Sequence, residues 1–139
     1  MICPKGVCRG LIVKVSLCFV TFFCIAVSGY PNVTVLGLAC NQGADASESW
    51  RHVKFSVRST LIEFTPRFLG NYYMSASDET LTCYGHATCK MVLSNDDCVF
   101  CLQMADLTIT RRCGVAAVGG QATLEDCHLR YENYRFDEG

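Results

Sequence analysis

Between residues 50 and 64 the apolar side chains Trp50, Val53, Val57, Leu61 and Phe64 recur three or four positions apart, the spacing of one helical face. An Asp45 and Glu48 pair of capping-box form precedes them and Pro66 ends the run, so the pattern predicts a first amphipathic helix. A second stripe, Cys98, Cys101, Leu102, Ala105 and Ile109, follows Ser94 and Asp97, another pair of capping-box form. Arg111 and Arg112 complement the dipole at the far end of that helix, and Gly114 follows. Elsewhere the pattern is that of strands. Val33, Val35 and Leu36 lie in a β-rich stretch ending at Cys40, before a polar loop over 41–47. Residues 72–74 and 81–88 read as a hairpin about the turn-prone 75–78, and 115–118 and 122–136 as two strands around a break at Gly119 and Gly120. The order β, α, β, β, α, β, β predicts an α+β domain with helices packed against an antiparallel sheet.

The N-terminal stretch has a different character. Lys5 and Arg9 precede an uncharged apolar run over 15–27, and the small residues Ser28 and Gly29 follow it. This is the form of a secretory signal peptide, because a spanning helix needs about 20 apolar residues and Lys14 blocks extension of the run. Residues 1–29 are read as the leader and 30–139 as one extracellular domain that does not reside in the membrane after cleavage. No internal repeat or linker divides it.

Composition narrows the chemistry. The 139 residues carry a net charge of -1, and without Lys5, Arg9 and Lys14 the domain has 9 basic and 13 acidic residues, a balance of -4. Such a charge offers no phosphate-binding surface, so nucleic acid is not expected as a partner. Cysteine numbers 11 in all, and seven remain once Cys3, Cys8, Cys18 and Cys24 leave with the leader. An odd number in an oxidising compartment leaves one thiol over.

Cys89, Cys98 and Cys101 are spaced Cys-x8-Cys-x2-Cys, with the last two one helical turn apart. The spacing permits three chemistries. A zinc site would need a second close couple of Cys or His beside His86 or His128, which is missing. A redox Cys-x-x-Cys at a helix N-terminus lacks the surrounding βαβ pattern. Structural disulfides are the third.

At this point the sequence resembles a known family. The segment YGHATCKMVLSNDDCVFCL, with LACN before it and LEDCHLRYENYRF after it, is similar to the ginkbilobin-type, cysteine-rich secretory, stress-antifungal domains of plants. The resemblance implies a five-stranded antiparallel sheet packed with two α-helices. It also implies three disulfides, Cys40 with Cys113, Cys89 with Cys98 and Cys101 with Cys127. Cys83 departs from the family pattern, so it is expected either as a packed strand thiol or as half of an intermolecular bond that makes a dimer.

The resemblance implies a function as well. The antifungal members are similar to lectins that bind mannose through an Asn, an Arg and a Glu, which fall on Asn41, Gln121 and Glu132. Vicinal sugar hydroxyls both donate and accept, so an amide, a forked cation and a carboxylate match them. Gln121 replaces the cation by a neutral amide, which weakens charge assistance. Strand alternation puts Glu132 beside Arg130 on an exposed face. The expected partner is a mannose-containing glycan or cell-wall mannan in the apoplast, and the competing expectation is a secreted protein-interaction module without sugar binding. His52, His86 and His128 make no triad spacing, so no enzyme, metal or cofactor is expected. Asn32-Val33-Thr34 is an N-glycosylation sequon.

Overall fold

A computed structural model describes residues 29–137, and the leader expected over 1–29 lies almost wholly outside them. The strands are β1 (Val35–Cys40), β2 (Asn71–Ser77), β3 (Thr82–Cys89), β4 (Gly119–Leu124) and β5 (Cys127–Glu132). The helices are α1 (Glu48–Phe64), continued by a 3-10 turn over Thr65–Phe68, and α2 (Asn95–Cys113). All pairings are antiparallel, in the order β1-β4-β5-β3-β2. This is the α+β arrangement of five strands and two helices that the pattern and the resemblance imply.

Both helices lie on one face of the sheet. Trp50, Val53, Val57 and Leu61 of α1 and Cys98, Cys101, Leu102, Ala105 and Ile109 of α2 are buried against Cys83, Ala87, Ala122, Leu129 and Tyr131. The approach is close because β3 has a glycine where α1 crosses it. A methyl group on Gly85 would stand 2.7 Å from Leu61 Cδ1. Lys54 shares the buried stripe of α1, and its ammonium donates to the Val115 and Ala117 carbonyls at 2.6 and 3.1 Å.

The disulfides join Cys40 to Cys113, Cys89 to Cys98 and Cys101 to Cys127, the pairing implied by the resemblance. They tie α2 to β1, β3 and β5, so the helix is fastened across the sheet.

Local details correct several expectations. Ser47, not Asp45, caps α1: its hydroxyl accepts from Trp50 N–H, while Asp45 accepts from Ser47 N–H at 2.7 Å. Ser94 caps α2 as its spacing predicts, accepting from Asp97 N–H. Strand β2 runs on to Ser77, and the turn is formed by Asp78, which accepts from the N–H groups of Thr80 and Leu81. Residues 115–118 are not a strand, and Gly119 and Gly120 do not break one. They begin β4, and the chain turns instead at Glu125 and Asp126.

Candidate functional site

The sheet face away from the helices carries alternate residues of every strand, and the registers arrange them in rows. One row runs Ser75, Tyr84, Glu132, Gly119, and the Asn41 backbone N–H extends it by donating to Gly119 O at 3.0 Å. The next runs Tyr73, His86, Arg130, Gln121, Ala39. Asn41, Gln121 and Glu132, far apart in sequence, therefore stand in adjacent rows of one face.

Glu132 is the centre of the group. Its Oε2 accepts from Asn41 Nδ2 at 3.1 Å and its Oε1 from Arg130 Nε at 3.4 Å. Asn41 Oδ1 in turn accepts from Gly43 N–H at 3.0 Å, which fixes the amide's orientation. Glu132 was expected to be exposed, and it is not: it retains 6% of its surface. Alternation assigns the face correctly, but the carboxylate lies in the space left by Gly119, where a methyl group would stand 2.6 Å from Glu132 Cδ. A buried carboxylate needs hydrogen-bond donors to offset lost hydration, and Asn41 and Arg130 supply them.

Arg130 faces Gln121 directly across the β4–β5 pair. Its Nη2 donates to the Tyr134 hydroxyl at 3.2 Å, and its guanidinium carbon lies 4.1 Å from the centre of the Phe136 ring. Phe136 meets Tyr73 edge-on at 5.7 Å between centroids. The segment after β5 therefore folds back beside the site instead of continuing the strand as expected. Alternation made Arg130 legible beside Glu132, but nothing in the pattern announced the return of Phe136.

A family model described as salt stress response/antifungal matches residues 39–134. The chain belongs to that family. A similar member of the salt stress response/antifungal family is the antifungal protein ginkbilobin-like protein 1 of Picea sitchensis, 30% identical over 110 residues that cover 77% of this chain and 82% of the relative. Antifungal protein ginkbilobin-2 of Ginkgo biloba is 40% identical over 55 residues, 40% of each chain. Among solved structures, the tandem DUF26 ectodomain of the Arabidopsis thaliana cysteine-rich receptor-like protein PDLP8 superimposes with a TM-score of 0.62 at 24% identity, over 76% of this chain. The corresponding ectodomain of PDLP5 gives 0.64 at 21%, over 74%. This chain spans 48% and 51% of those two ectodomains, and the likeness shows the shared fold. The salt stress response/antifungal domain is a ginkbilobin-type plant domain, and its role is in stress response and defence.

The other expected positions of this family member are also placed. Cys83 is a free thiol with 0% of its surface exposed, on the helix-facing side of β3, and burial pushes its pKa up to about 12. An intermolecular bond through it would require β3 to leave the core, which opposes the dimer expectation. Asn32 is exposed, and its Oδ1 accepts from the Thr34 N–H and hydroxyl at 3.1 and 2.7 Å. Among the described residues no group of three or more His, Cys, Asp or Glu could hold a metal ion, and no helix is long and apolar enough to cross a membrane.

Proposed function

We propose that this chain is a secreted, lectin-like defence protein of the apoplast that binds mannose-type glycans at Asn41, Gln121 and Glu132, acting by binding and not by turnover. The observation that carries the reading is the Asn41 to Glu132 hydrogen bond on the sheet face away from the helices. It holds an amide and a carboxylate in fixed orientation before any ligand arrives, so little ordering entropy remains to oppose a weak polar ligand. The carboxylate accepts from a sugar hydroxyl, the Asn41 amide donates and accepts, and Gln121 adds an amide from the next row. The test is a glycan array probed with the purified, disulfide-intact protein, followed by mannose titration of wild type and Glu132→Ala. Binding to mannose-terminated glycans that is lost in the variant supports the reading, and silence across mannose-type spots rejects it.

A second reading has its own observation. Strand β1 is an edge of the sheet, and its Val35, Leu36 and Leu38 are exposed, Leu36 at 61%. An unpaired edge bearing apolar side chains is suited to main-chain pairing with a protein partner. Pull-down by wild type that is lost on Leu36→Lys, with glycan binding intact, would favour it.

A further inference from the structure

We propose that Arg130 is the cationic donor of the glycan site, acting from β5 across from Gln121, and that Phe136 and Tyr134 hold its guanidinium in place. The inference rests on the glycan reading above and assigns a residue that the Asn41, Gln121 and Glu132 set omits.

Three relationships converge on Arg130. Its Nε donates to the Glu132 carboxylate at 3.4 Å, which sets the guanidinium and the carboxylate side by side on one face of the sheet. A sugar hydroxyl placed beside that pair donates to the carboxylate and accepts from the guanidinium, using both halves of its hydrogen-bonding capacity at once. The guanidinium plane is supported by the Phe136 ring at 4.1 Å, and Nη2 is anchored on the Tyr134 hydroxyl. A long side chain restrained at both ends gives up less rotamer freedom when a ligand arrives.

The register supplies the third relationship. Gln121 and Arg130 are directly opposed on the same face, at a distance where cross-strand side chains share one neighbourhood. A guanidinium reaching Glu132 from position 130 and one extending from position 121 would serve the same part of the face. Two such cations side by side would repel each other, so a neutral amide at 121 accommodates Arg130.

The experiment titrates methyl α-mannoside into wild type, Gln121→Ala, Arg130→Gln, Arg130→Lys and the exchanged double variant Gln121→Arg/Arg130→Gln, read by NMR chemical shifts. Thermal melting of each protein is recorded in parallel. The expected result is a loss of about tenfold or more in Arg130→Gln, from one charge-assisted donor. Gln121→Ala removes a neutral amide of the site and should weaken binding less than Arg130→Gln does, and the exchange should recover part of the loss, which a merely structural role of Arg130 would not produce. If Arg130→Gln melts too low to titrate, Arg130→Lys decides: it keeps the charge and loses the fork, so weaker binding supports the assignment and unchanged binding overturns it. Mannoside binding by wild type that is unaffected by Arg130→Gln overturns the assignment and leaves the glycan reading standing. No binding by wild type overturns both.

Discussion

Asn41 Nδ2 donates to Glu132 Oε2 across 3.1 Å, joining residues 91 positions apart and tying the end of β1 to the end of β5. Because the acceptor is a buried carboxylate, the bond should stabilise the fold as well as shape the site. In a double-mutant cycle with Asn41→Ala and Glu132→Ala, the coupling energy in urea unfolding is expected at about 1.5 to 3 kcal/mol, the range for hydrogen bonds to charged groups. Strict additivity would mean that the contact contributes nothing.

Gly119→Ala attacks the same pair from β4. The added methyl would overlap Glu132 Oε2 and stand 3.1 Å from Asn41 Cβ, so the carboxylate must swing away from its donors. Expected is a loss of about 1 to 3 kcal/mol of stability, the cost of a buried acceptor deprived of partners. Mannoside affinity should fall with it. Urea melts and titration of the one variant check both, and wild-type behaviour in both would show that Glu132 has no need of this space.

The helices were legible because a buried stripe with a 3.6-residue period leaves a strong imprint: Trp50 to Leu61 and Cys98 to Ile109 are buried as their spacing requires. Strand β4 was not, because adjacent glycines ordinarily mark a turn. Here Gly119 and Gly120 are strand residues whose missing side chains admit the Glu132 carboxylate on one face and Ile109 on the other. For the site, alternation could place Arg130 and Glu132 together, since it depends on one strand alone. It could not foresee that Glu132 is buried, because that depends on Asn41 and Gly119 arriving from β1 and β4, and pairing register is invisible in a single strand.

Cys83 should make the protein sensitive to alkali. Its folded pKa is raised from 9.0 to about 12 by burial, so between those values the unfolded chain loses a proton that the folded chain keeps. Stability from this group is complete below about pH 9 and falls as pH rises toward 12. Lys54 shifts the other way, its pKa lowered chiefly by desolvation, and opposes the trend in the whole protein. Comparison of wild type with Cys83→Ala isolates the thiol: the urea midpoint should decline less steeply above pH 9 in the variant. Equal slopes would mean the thiol titrates normally. The same burial predicts a monomer on non-reducing electrophoresis and no alkylation of Cys83 by iodoacetamide until the protein unfolds.

Cys40 immediately precedes Asn41, so the Cys40–Cys113 disulfide holds the site's amide as well as the sheet edge. Its partners are 73 positions apart, and on the chain-entropy model closing a loop of that length stabilises by about 4 kcal/mol. Native strain and residual structure in the unfolded chain usually lower that figure. The double variant Cys40→Ala/Cys113→Ala is therefore expected to lose about 2 to 4 kcal/mol and to fray first at β1, which among the described strands pairs with β4 alone. Hydrogen exchange should quicken at Leu38 and Asn41 while the β3–β5 amides stay protected. Mannoside affinity should fall further than in Asn41→Ala, because a frayed β1 removes the amide and uncovers Glu132 together. Affinity retained at the wild-type level would mean that the Asn41 N–H bond to Gly119 O alone is enough to position that residue.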